Sequence, residues 1–96
     1  MSPNNIKKLK KLRKSLDNLD NSFIKLIKKR TELVKQVLKL KERKKEIIDK
    51  KRIKFILNQI KKKSIKNKID PKITNRIWKN MIYSYINYER KNFKKK

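Results

Sequence analysis

The sequence predicts an all-α fold: a three-helix protomer with a long first helix, paired with a second copy in an intertwined homodimer. Three observations predict it. Leucine recurs every seventh residue at Leu12, Leu19, Leu26, Leu33 and Leu40. No glycine or proline interrupts the chain from Asn4 to Lys41. Apolar residues then return at three-four spacing in two shorter stretches, the second of them opened by Asp70–Pro71.

The first helix is expected over residues 4–41, after cap-type residues around Pro3, a residue suited to a first turn. Leu9, Leu16, Phe23 and Val37 flank the leucine row at heptad position a, and Ile27 and Val34 flank it at e. Such a stripe belongs to a helix with more than one neighbour. At 1.5 Å per residue the helix is about 55 Å long, whereas a compact domain of this size has a radius of gyration of about 13 Å. The remaining chain cannot cover it, so its stripe should meet another copy, most simply across a two-fold axis. Residues 1–96 are read as one domain.

A polar connection follows Lys41. The second helix is expected over 49–63, where Ile48, Arg52, Phe55, Ile56 and Ile60 share one side. KKKSIKNKID is read as a solvated connection. Asp70 as N-cap and Pro71 at N1 then open the third helix, expected over 71–93. Phe23, Phe55 and Trp78 fall at core spacing, and the lysine tail should fray.

The chain carries a net charge of +25, with 33 Lys and Arg against 8 Asp and Glu. A charge of that size suits an anionic partner. It also follows from coding drift, since the chain is rich in Lys, Asn and Ile and has neither Gly nor Ala. With no Cys and no His, the chain offers no disulfide, no thiolate nucleophile, no ordinary zinc site and no imidazole base. No cofactor or metal is expected. No apolar run reaches membrane-spanning length and MSPNNIKK lacks a secretory apolar core, so a cytoplasmic protein with no membrane partner is the expectation.

The informative residues are charges on apolar faces. Arg30 takes an a position, and Arg13 and Lys41 take e positions. Arg52 repeats the pattern on the second helix, and Glu89 lies in line with Trp78, Ile82 and Tyr85 on the third. A buried cation needs an anionic partner, yet the first-helix stripe offers only Asp20. Long side chains that snorkel, or pair with Asp20, Asp49 or Glu89, would account for any one of them. Taken together they outnumber the acids at hand. Arginine meets a carboxylate through two parallel hydrogen bonds, so the cluster fits a ligand with more than one carboxylate. A basic leucine zipper is disfavoured, because only a short segment precedes Leu12 and Arg30 sits in the seam. Nucleic acid is not an expected partner, although a basic helical nucleic-acid-binding protein is the reading to set against an enzyme.

The run LRKSLDNLDNSFIKLIKKRTELVKQVLKLK resembles the first helix of the all-helical (type II) chorismate mutases, with Arg13, Arg30 and Lys41 at its three basic positions. Asp49 and Arg52 fall at that family's Asp-x-x-Arg, and IDPKITNRIWKNMIYSYINYE resembles its third helix, with Glu89 at the closing Gln or Glu. The resemblance implies rearrangement of chorismate to prephenate on the way to phenylalanine and tyrosine. Arg13, reaching across from the opposite protomer, and Arg30 would hold the two carboxylates. Arg52 and Asp49 would complete the pocket, Lys41 would stabilise charge on the ether oxygen, and Glu89 would donate to it once protonated. Two positions depart from the pattern. Ile53 stands where a glutamate commonly holds the substrate hydroxyl, and Tyr85 stands where a serine is usual, with Ser84 one place early. An isochorismate pyruvate lyase on the same fold is the alternative within the family.

Overall fold

The computed structural model describes residues 1–94. Three α-helices and one short 3-10 turn make up the order α1 (Pro3–Leu40), η1 (Lys44–Ile47), α2 (Lys50–Lys66) and α3 (Pro71–Asn92). No strand occurs among the described residues. The lysine tail expected to fray falls in part on Lys95 and Lys96, outside them. Among the described residues no helix is long and apolar enough to cross a membrane. Two compact units divide the chain, Met1–Leu33 and Val34–Lys96.

The first unit consists almost wholly of α1. Its start follows the sequence signal: Asn5 N–H donates to Ser2 Oγ at 3.2 Å and Ile6 N–H to the Ser2 carbonyl at 2.9 Å. The leucine row is bare within the chain. Leu12, Leu19, Leu26 and Leu33 are all more than half exposed, as are Leu16 and Phe23.

In the second unit a small core forms from Leu38, Ile47, Ile82 and Ile86, with Ile53, Ile56, Leu57 and Phe93 packed against it. Leu38 is absent from the leucine row. It lies two positions before Leu40, a rotation of about 200° around the axis, and the two are 9% and 79% exposed. A strict seven-residue repeat slips by about 20° per heptad on a helix that does not supercoil. The row therefore leaves the face that the end of α1 buries. Ile47, the best covered of these side chains, is carried by η1, where only a polar connection is expected from the sequence. There Arg43 N–H donates to Glu46 Oε1 at 3.1 Å, and Glu46 N–H returns to the Arg43 carbonyl at 3.0 Å.

The helix α2 runs three residues beyond the expected end at 63, so KKKSIKNKID is not all connection. The reason is Ser64, which is buried and donates or accepts at two places: its Oγ lies 2.6 Å from the Ile60 carbonyl and 2.7 Å from Thr74 Oγ1 on α3. Pairing hydroxyl with hydroxyl satisfies both groups where α2 and α3 meet. The helix ends in a Schellman arrangement, with Ile69 N–H on the Ser64 carbonyl at 2.8 Å and Lys68 N–H on the Ile65 carbonyl at 3.1 Å. Lys68 accordingly holds φ at 58°, a position that glycine usually takes. Asp70 then caps α3 through its carboxylate, which accepts from Lys72 N–H at 3.0 Å, with Pro71 in the first turn.

Lys68 carries the one positive φ among the described residues. A Cβ in the left-handed region costs about 1–2 kcal/mol, and glycine loses about 0.5–1 kcal/mol through its freer unfolded chain. Lys68→Gly should therefore stabilise the fold by about 0.5–1 kcal/mol, read as a higher denaturant midpoint at unchanged slope. A midpoint lowered by the glycine entropy cost of about 0.5–1 kcal/mol would show that the position carries no strain.

Candidate active site

Two titratable residues far apart in the chain meet inside the second unit. Lys41 directly follows α1 and its N–H turns back to the Leu38 carbonyl at 3.2 Å. Glu89 lies on the buried side of α3, one turn beyond Ile86 and two beyond Ile82. Lys41 Nζ donates to Glu89 Oε1 at 3.2 Å, with the two side chains only 17% and 8% exposed. Separating a desolvated pair of this kind costs about 3–5 kcal/mol, because the remaining charge has no water to turn to. The pair fixes the position of the Lys41 ammonium, with the Glu89 carboxylate on the same side of α3 as the buried Ile82 and Ile86.

An open cleft of about 510 Å³ begins at the same lysine and is lined by Lys41, Glu46, Ile48, Asp49, Lys50 and Lys51. Asp49 forms the N-cap of α2: its Oδ1 accepts from Arg52 N–H at 3.0 Å. Arg52 is exposed, and its guanidinium carbon lies 5.3 Å from the centre of the Phe55 ring. This differs from the expectation for both residues. Arg52 does not sit among apolar side chains, and Phe55 is 52% exposed within the chain. Trp78, by contrast, is half-buried. Ile53 is half-buried against the core of Leu38, Ile47, Ile82 and Ile86, so an aliphatic residue at this position has work in packing. Tyr85 is half-buried and Ser84 is exposed.

The two remaining arginines belong to the first unit. Arg13 is exposed on α1 beside Ile6, Leu9, Lys10, Lys14 and Asp17. Arg30 is half-buried, and its Nε is buried without a hydrogen-bond partner. Seventeen residues of helix separate the two, about 25 Å. One copy of α1 therefore cannot bring both guanidinium groups to one small ligand. Asp20, a candidate partner for these cations, is exposed.

Lys41 with Glu89, and Asp49 with Arg52, are thus the sequence candidates that the fold joins directly. Glu46, Lys50, Lys51 and Phe55 were not candidates from sequence. Glu46 carried half a signal, an acid three residues after the start of a turn, but arginine at the cap position supplies no side-chain acceptor. The lysines were hidden among many others. Among the described residues no group of three or more His, Cys, Asp or Glu could hold a metal ion.

The protein family described as chorismate mutase type II matches residues 12–90. That span begins just before Arg13 and ends just after Glu89, so it contains every candidate site residue. No curated protein and no solved structure matches the chain significantly. With the match extending over most of the sequence and an all-helical fold beneath it, the chain belongs to the chorismate mutase type II family and is an isomerase.

Proposed function

We propose that this chain converts chorismate to prephenate as a homodimer, with each site completed by Arg13 of the opposite copy. The observation that carries the reading is the buried Lys41–Glu89 pair. These are the two positions that the family resemblance assigns to the ether oxygen, and they lie 48 residues apart in sequence. The reaction breaks an ether C–O bond as a C–C bond forms within one molecule, with no nucleophile and no proton transfer to substrate carbon. What accelerates it is a substrate held folded, with fixed charge where the transition state becomes polar. Lys41 meets that need. Its charge is already desolvated and oriented, so little reorganisation remains when negative charge grows on the oxygen.

Glu89 accepts a hydrogen bond from Lys41 in the free chain. To donate to the ether oxygen it must first gain a proton, whereas a glutamine amide donates as it stands. The substrate carboxylates fall to the arginines. Arg30 has a buried Nε–H without an acceptor, a donor that a carboxylate would satisfy. Arg52 and the Asp49 region border the same stretch as Lys41. Ile53, packed into the core, provides no acceptor for the substrate hydroxyl, and Tyr85 stands nearest in sequence to replace the serine. Support for the dimer comes from the bare leucine row, a stripe with no cover in its own chain, and from the about 25 Å between Arg13 and Arg30 on one helix.

Purified protein should consume chorismate, followed by the loss of its ring absorbance, and yield prephenate. Release of pyruvate from isochorismate without turnover of chorismate would overturn the reading. Lys41→Ala should lower kcat by a factor corresponding to about 3–4 kcal/mol, while Glu89→Gln should keep or raise it. Near-full turnover in Lys41→Ala would remove that residue from the mechanism.

Mixing tests the shared site. Arg13→Ala and Lys41→Ala proteins should each be inactive and should regain activity when co-refolded, since mixed dimers rebuild one site, roughly a quarter of all sites for random pairing. No recovery would place Arg13 outside the partner's site. Leu19→Glu with Leu26→Glu should shift sedimentation to the monomer and abolish turnover.

A further inference from the structure

We infer that Phe55 is a positioning residue for Arg52, holding its guanidinium ready for a ligand carboxylate; the inference rests on the chorismate reading only for the identity of that ligand. Phe55 lies one turn after Arg52 on α2, so the two share a face. It does not belong to the side of α2 that packs inward, where Ile53, Ile56, Leu57 and the buried Ser64 lie. Its ring is 52% exposed, and the Arg52 guanidinium carbon lies over it at 5.3 Å from the centroid. This is inside the range of about 6 Å in which a cation is held by the ring quadrupole.

The nearest acid in sequence does not compete for that guanidinium. Asp49 directs its carboxylate to the backbone N–H of Arg52, 3.0 Å away. Arg52 has no ion pair among the described residues. An aromatic face differs from a carboxylate in the way that matters here. It restrains a long, freely rotating side chain without filling the fork of N–H donors that a ligand carboxylate would take. Asp49 sets the backbone of Arg52 and Phe55 sets its head group, so the pair acts before any ligand arrives.

A bland explanation is that Phe55 is simply apolar surface waiting for cover. Leucine separates the two, because it keeps an apolar side chain at the site but has no ring. In NMR spectra of the full chain, the Arg52 Hδ and Hε resonances should be ring-current shifted, the shift should vanish in Phe55→Leu and persist in Phe55→Tyr. Phe55→Leu should raise KM for chorismate about threefold, a factor that matches an exposed cation–π contact, with kcat within about twofold. Phe55→Tyr should restore KM. Titration with malonate, followed on the Arg52 Nε–Hε signal, should weaken by the same factor in Phe55→Leu. A parent protein without the ring-current shift overturns the inference, as does an unchanged malonate affinity in Phe55→Leu or a tyrosine variant that behaves like leucine. Lack of turnover in the parent would instead remove chorismate, and the malonate titration would still decide the role of Phe55.

Discussion

Two opposite charges at 3.2 Å, largely withdrawn from water, are the constraint on which the second unit depends. An ion pair on the surface of so basic a chain would be worth little. Buried, it costs too much to leave unmet, so Lys41 and Glu89 must find each other in the folded state. That requirement ties the end of α1 to the last turns of α3. Leu38, Ile47, Ile82 and Ile86 form the apolar cluster of the same unit. The same four residues are the buried apolar side chains among the described residues, and none is fully buried. A structure with so few buried side chains gains much of its definition from where its polar groups are satisfied.

Ser64 and Thr74 follow the same logic at the other end of the α2 and α3 pair. Their hydroxyls meet at 2.7 Å where an apolar contact would ordinarily sit. The Ser64–Thr74 contact joins α2 to α3 at one end, and the Lys41–Glu89 pair joins the end of α1 to α3 at the other. The chain carries its net charge of +25 mostly on exposed lysines and arginines.

What sequence reading captured was set by local chemistry and by charge on apolar faces. Asp70–Pro71 announces α3 because capping and a preset φ act within a single turn. Lys41 and Glu89 stood out as charges in apolar rows, and burial accounts for both. The misses have equally physical causes. Leu38 was overlooked because a heptad reading follows a supercoiled seam, whereas the end of α1 packs around a different side. The last turn of α2 was read as solvated because its lysines are polar, although one serine among them is buried. Arg52 and Phe55 were assigned to one apolar face by periodicity; their spacing does place them together, but on a side of α2 that is exposed within the chain.

The turn between α2 and α3 has a further consequence. It reverses the chain with a lysine in the left-handed region, in a protein that contains no glycine at all. Every residue bears a side chain that narrows its backbone choices before folding begins. The disordered ensemble of such a chain is stiffer, so less conformational entropy is surrendered on reaching the native state. Strain at one corner is thus set against a saving distributed along the whole backbone, which helps a scant core to suffice.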